Sequence, residues 1–443
     1  MKILLLVLLW VSGLVMVRAQ MPAMAQDKPA SYLIKAGKLF DSETGEFKTG
    51  MVILVKDKKI EAVRSEKEVS EAEKEGRQVV DLSAYAVLPG LIDCHTHLLY
   101  REVLHPGNTV ESMDLVKELT TEGDAYRAIY GTARAKAYLE AGITSVQDLG
   151  NSGQYADMAL RRAINEGLVP GPRMRCAGRG LSTEGGQLPG VIYKHQNLVA
   201  DEYRVVKGPD DAVQAVRENI TQGADVIKIY SNNTPNNTML SVEEIRAIVG
   251  EAHRYGLRVT AHATDNRAVY NAVIGGVDGI EHGYSVDDTT FQLMARKGVI
   301  FVPTDGDSLI FTRYAQLANP DDKSGGARVM GFRRYLGLRL RAALRAGVTV
   351  AAGSDDYVDV KLPFADLSKH TIIGYVESGV PVVRALQFAT INASKQLNWV
   401  GEVGVLKRGA FADIIAVDGD LDMDIHALMK VHFVMKGGAV VVQ

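Results

Sequence analysis

Six side chains of this 443-residue chain are of types that grip metal ions and move protons, and each sits near the end of a strand-like run. "PGLIDCHTHL", Pro89 to Leu98, closes an apolar stretch with two histidines separated by one threonine. On a strand, alternation points His95 and His97 to one face with Cα atoms roughly 7 Å apart, near enough to hold one cation. "ADVIKIY" sets Lys228 between Ile227 and Ile229. If the isoleucines pack on a helix layer, the lysine points the other way. "LRVTAHA" ends in His262, "DGIEHG" in His282, and "VTVAAGSDD" in Asp355, with Asp356 beside it as an alternative. A single histidine at a strand end is more often structural, but six residues of ligand type converging on one rim make a site. Imidazole and carboxylate donors suit Zn²⁺ and its neighbours, and the absence of thiolate argues against a closed structural zinc site.

Lys228 is the odd member, because an ammonium repels metal ions. Burial penalises its charged form, and a neutral amine can add CO₂ to become a carbamate whose two oxygens bridge two cations. The competing reading is a plain ion pair between Lys228 and Asp355 across the rim.

The elements that must position these residues follow one repeated punctuation. An amphipathic segment, a glycine and a short β-rich run recur at Gly142, Gly167, Gly223, Gly256, Gly276, Gly298 and Gly347. Glycine just past a helix is the usual left-handed cap, so each mark reads as a helix ending and a strand beginning. Seven such junctions after the strand "VLPGLIDCHTHL" give eight strands, the count of a (β/α)₈ TIM barrel, whose chemistry collects at the C-terminal strand ends. A doubly wound open sheet is the alternative, disfavoured because no Gly-rich dinucleotide fingerprint follows the first strand. In "GFRRYLGLRLRAALRAG", Leu336, Leu340, Ala343 and Leu344 read as the buried stripe of an outer helix and the arginines as its wet face.

Both ends of the chain change texture to short alternating segments, as in "YLIKAGKLFDSETGEFKTGMVILVKDKKIEAV" and "HFVMKGGAVVVQ". The economical reading is a small β-sandwich domain built from both termini, residues 26–87 and 401–443, flanking a barrel over 88–400. Residues 1–25 read as a signal peptide, with Lys2, the apolar run Ile3 to Val17, and cleavage after Ala19 or Ala25. The expected destination is the periplasm or medium of a bacterium, with no stable membrane span after cleavage. Apolar residues at 47%, charged residues at 23% and a net charge of −3 describe a folded protein with no electrostatic case for nucleic acid. A small-molecule substrate is the expected partner, and a homo-oligomer stays open. Cys94 and Cys176 lie in apolar runs and read as buried free thiols.

The ordered set "GLIDCHTHL", "ADVIKIY", "TAHA", "IEHG" and "GSD", between two β-rich ends, resembles the amidohydrolase superfamily. More narrowly it resembles the imidazolonepropionase-like branch that includes Xaa-Pro dipeptidases and N-acyl amino-acid hydrolases. The resemblance implies a binuclear centre of two divalent metal ions, with Zn²⁺ the expected ion. In it His95, His97 and Asp355 hold the buried ion, carboxylated Lys228 bridges, and His262 and His282 hold the exposed ion. It implies a hydrolase that cleaves the C–N bond of dipeptides, Xaa-Pro type included, or of N-acyl amino acids by a metal-bridged hydroxide, with Asp355 as the catalytic proton shuttle. Tyr230 is the candidate donor to a substrate carboxylate. Gln187, in "EGGQ", stands where dipeptidase relatives often carry the histidine of "TGGH", and is a second substrate-binding candidate whose identity departs from theirs. A cyclic-amide (imidazolone-like) hydrolase or a deaminase is the alternative, and it predicts one metal and indifference to Lys228.

Overall fold

The computed structural model describes residues 31–443 apart from 105, 107–114, 189 and 322–325, so the export-signal reading lies outside the described residues. The two chain ends meet in one seven-stranded sheet. Its order is Ala439–Val442, Val431–Lys436, Ile414–Val417, Gln78–Pro89, Ser31–Asp41, Glu46–Lys56 and Lys59–Ser65, antiparallel except for the parallel pair Ser31–Asp41 and Gln78–Pro89. Alternation fills one face with Ile34, Ile53, Val55, Val80, Phe433 and Met435 and the other with Leu33, Val52 and Leu54.

The small β domain expected from both termini is thus one continuous sheet. The edge strand bonds back to the segment just before Ile414, through Ile60 N to Ala410 O (2.9 Å) and Ala412 N to Lys58 O (2.9 Å). The sheet therefore curls on itself, which covers an edge that a flat sheet would leave open. At the turn between its last two strands, Gly437 and Gly438 both have positive φ, as a two-residue hairpin of this hand requires. A Cβ on Gly438 would lie 1.8 Å from the Asp57 carbonyl oxygen, so that position also needs glycine for space.

Between the two ends, helices alternate with parallel strands. Leu91–Thr96, Ile143–Asp148 and Arg173–Cys176 form one three-stranded sheet. Tyr203–Val205, Gly180–Ser182, Val226–Tyr230, Arg258–Ala263, Gly279–His282 and Ile300–Val302 form a six-stranded one. All seven junction glycines have positive φ, from 69° at Gly298 to 99° at Gly223. Single bonds join the two sheets rather than a continuous ladder. On one side Asp225 N donates to Cys176 O at 2.9 Å. On the other, the extended stretch 348–355 lies between the strands carrying Phe301 and His95, with Ala351 N to Phe301 O, Cys94 N to Ala352 O (2.9 Å each) and Asp355 N to His95 O (2.8 Å).

The regular eighth strand read from "VTVAAGSDD" is thus an extended segment held by isolated bridges. Its packing explains why. A Cβ on Gly353 would meet Val302 at 2.5 Å and His95 Cβ at 2.9 Å, so small residues let this segment wedge close to its neighbours. Ile227 and Ile229 join the helix-packed core with Ala215, Val216 and Ile248, while Lys228 is buried on the opposite face. Cys94 and Cys176 are buried free thiols. No helix among the described residues is long and apolar enough to cross a membrane.

Candidate metal centre

Strand alternation brings His95 and His97 to one rim, with their Nε2 atoms 3.2 Å apart. Asp355 Oδ1 stands 3.4 Å from the first and 3.1 Å from the second. Each ring's other nitrogen is committed: His95 Nδ1 to Glu281 Oε2 and His97 Nδ1 to the Gly150 carbonyl, both at 2.8 Å. Those acceptors fix the tautomers, because Nδ1 must donate and Nε2 is left with a bare lone pair. Two lone pairs and a carboxylate facing one another at hydrogen-bond distance repel unless a cation sits among them. The three ligand atoms all lie within 4.8 Å of one another.

The second half of the rim adjoins the first. His282 Nδ1 is 3.7 Å from Asp355 Oδ2 and 2.9 Å from Thr304 Oγ1. The His282 ring lies 5.1 Å from that of His95 and 4.6 Å from that of His262. Among the described residues His262 Nε2 is buried without a hydrogen-bond partner, an orphan that a metal ion would satisfy. Lys228 Nζ is 3.5 Å from His95 Nε2 and is 1% exposed. No Lys228–Asp355 ion pair within 4.0 Å occurs among the described residues, so the plain pairing is not what this lysine makes.

Local backbone completes the aim. In the strand Gly279–His282, Ile280 packs outward and Glu281 inward under His95, so simple alternation would turn His282 out. Its φ of 69° turns it back, and Asp355 does the same at 56°. Left-handed backbone at two non-glycine residues costs of order 1 kcal/mol or more each and persists only where the surroundings over-determine it.

Burial sets the charge states. It lowers Lys228 to about 8 from an ordinary 10.5, against the opposing pull of Glu281 and Asp355. Burial and then the Lys228 charge lower His262 to about 3, and burial depresses His95 and His282 in the same sense. Neutral imidazoles are the form that ligates metals. Burial alone would raise Asp355, but the positive charge that His95, His97 and His282 carry when protonated outweighs it and holds the carboxyl well below the usual range.

Asp356 is not interchangeable with Asp355. Tyr138 Oη donates to its carboxylate at 2.8 Å and Arg134 Nη2 lies 3.2 Å from it. Tyr230 lies beside the centre, its ring 5.2 Å from that of His262, and its hydroxyl donates to Asn151 Oδ1 at 3.3 Å. Gln187 is engaged elsewhere: its side-chain amide donates to the Asn232 carbonyl at 3.1 Å, and among the described residues no hydrogen bond ties it to the six.

Sequence reading missed Glu281, which orients His95 and is itself held by Thr260. Its only signal was an acid inside "IEHG", adjacent to a histidine that alternation would put on the other face. Thr304 gave none. Asp93, bonded to His95 N and to Ser354 and Ser368, was visible only as an acid two residues before the first histidine.

The family model described as "Amidohydrolase family" matches residues 86–441. Ochratoxinase of Aspergillus niger is 27% identical over 450 residues, covering 93% of this chain and 87% of that enzyme. Imidazolonepropionase of Brevibacillus brevis is 24% identical over 396 residues, covering 82% and 83%. A crystal structure of a Xaa-Pro dipeptidase with bound methionine in its active site superposes with a TM-score of 0.78 at 28% identity, covering 93% of this chain and 99% of that one. A rim of buried imidazoles on parallel strands and relatives over nearly the whole length agree: this chain belongs to the amidohydrolase family and is a hydrolase acting on carbon–nitrogen bonds.

Proposed function

We propose that this is a two-metal hydrolase of dipeptides or N-acyl amino acids, built on a closed (β/α)₈ barrel over 88–400 with the terminal sheet beside it. The observation that carries the reading is the donor set itself: opposed Nε2 lone pairs on His95 and His97 with Asp355 facing both, and the orphaned Nε2 of His262. His95, His97 and Asp355 would hold one divalent ion and His262 and His282 a second, with Lys228, if carboxylated, supplying oxygen ligands to both. Zn²⁺ suits these donors. When bound, such ions lower the pKa of water and polarise a carbonyl.

The chain's own groups do the rest. Asp355, 17% exposed at its side chain and ionised at neutral pH, accepts the proton released on attack and hands it to the leaving amine nitrogen. Glu281 keeps the His95 tautomer fixed throughout. Tyr230 donates its hydroxyl to a substrate carboxylate in exchange for Asn151. The alternative is a single-metal cyclic-amide hydrolase or deaminase, in which Lys228 would have no bridging role.

The test is a hydrolysis screen of zinc-loaded protein against mixed dipeptides, Xaa-Pro dipeptides and N-acyl amino acids, reading free amino acid. Release that a chelator abolishes and added Zn²⁺ restores is the expected result. No release from any pool by protein with its metals bound would contradict the reading and move the reaction to ring amides or deamination.

A further inference from the structure

Two helix arginines are buried, Arg339 against the wet-face reading of its helix, and each donates to main-chain carbonyls at the metal rim. Arg134, on the helix Asp124–Glu140, is 2% exposed. Its Nη1 donates to the carbonyls of His97 (2.8 Å) and Tyr100 (2.6 Å), and its Nη2 to the carbonyl of Asp356 (2.5 Å). Arg339, on the helix Ala327–Arg345, is 4% exposed. Its Nη1 donates to the carbonyls of His282 (2.6 Å) and Gly283 (3.0 Å), and its Nη2 to both carboxylate oxygens of Asp305 (2.6 Å each).

The targets are selective. Arg134 ties the end of the strand bearing His97 to the residue after Asp355, joining the two segments that present the first ion's ligands. Arg339 holds the carbonyl of His282 itself, the residue whose backbone is left-handed at φ 69°. The planar fork of a guanidinium reaches two or three carbonyls at once with fixed geometry, which a lysine cannot do. The two guanidiniums share no partner.

We propose that Arg134 and Arg339 are positioning residues acting on different halves of the centre, Arg134 setting His97 and Asp355, and Arg339 setting His282. Each replaces the strain-holding that regular ladder bonds would supply, because both clamp segments where the ladders have ended. The inference rests on the two-metal reading above, and its test separates the two.

The experiment is calorimetric and visible-absorbance titration of metal-free protein with Co²⁺, for wild type, Arg134→Lys and Arg339→Lys. His97→Asn and His282→Asn mark which binding step belongs to which half. Arg339→Lys should weaken the His282 step about 10- to 100-fold and leave the other within a few-fold, and Arg134→Lys should do the reverse. Wild-type affinity at both steps in either variant would overturn the proposal, as would equal weakening of both steps, the mark of general loosening. If Arg339→Lys does not fold, Asp305→Asn frees the same guanidinium and should give the same selective loss, smaller in size. Wild-type protein taking up one equivalent would sink the two-metal reading instead. In that case weakening by one arginine variant alone upholds the clamp and equal weakening by both rejects it.

Discussion

Two adjacent acids, Asp355 and Asp356, separate chemistry from scaffold within one dipeptide. Asp355 faces three imidazoles, and Asp356 faces Tyr138 and Arg134. Asp355→Asn should therefore keep its melting temperature within a few degrees and lose turnover by about 10²- to 10⁴-fold, checked by kcat beside a thermal scan. Asp356→Asn leaves the buried Arg134 without its counter-charge and should lower stability by about 3 kcal/mol, read from denaturant midpoints. Glu281→Gln keeps a hydrogen-bond acceptor for His95 but removes the charge that raises its basicity, so metal affinity should fall about 10-fold, measured by competition with a chelating dye. Near-normal affinity in that variant would remove Glu281 from the centre. At this scale the histidines and Lys228 were legible because their meaning lies in local spacing on single strands. Glu281 and the two arginines were not, because a long polar side chain is read as solvated until the three-dimensional ends of other strands supply its partners.

Elements carry the site by ending where they do. The junction glycines were legible, since a left-handed cap is a local requirement that glycine meets without strain. The segment 348–355 was legible in place but not in kind, because its close wedge between two neighbours depends on Gly353 meeting Val302 and His95 across the rim. How the terminal sheet closes was not legible for a similar reason: bonds from Lys58 and Ile60 to 410–412 span more than 340 positions of sequence, and no alternation pattern records them. The seam between the terminal sheet and the parallel strands holds Lys436, whose ammonium donates to the Gly171 carbonyl beside the Arg173–Asp413 pair. Burial first, then Arg173, lowers this lysine from 10.5 to about 8. The folded chain thus binds fewer protons than the unfolded one between these values, so stability rises with pH across that window. Lys436→Met should be favoured over wild type most strongly below pH 8, with the difference shrinking toward pH 10.5 in urea unfolding. A difference independent of pH would show that this ammonium is well solvated in the fold.

The whole molecule joins a curled sheet from both chain ends to parallel strands whose C-terminal rim gathers six ligand-type residues from five segments. That convergence distinguishes the rim from any one of its parts, and the bridging role of Lys228 is its most exposed commitment. Metal stoichiometry by mass spectrometry on zinc-loaded wild type and Lys228→Ala, with circular dichroism to establish that both are folded, tests it most directly. The account predicts two ions per wild-type chain and at most one, weakly held, in the variant. One ion in each, or two in each, would contradict it.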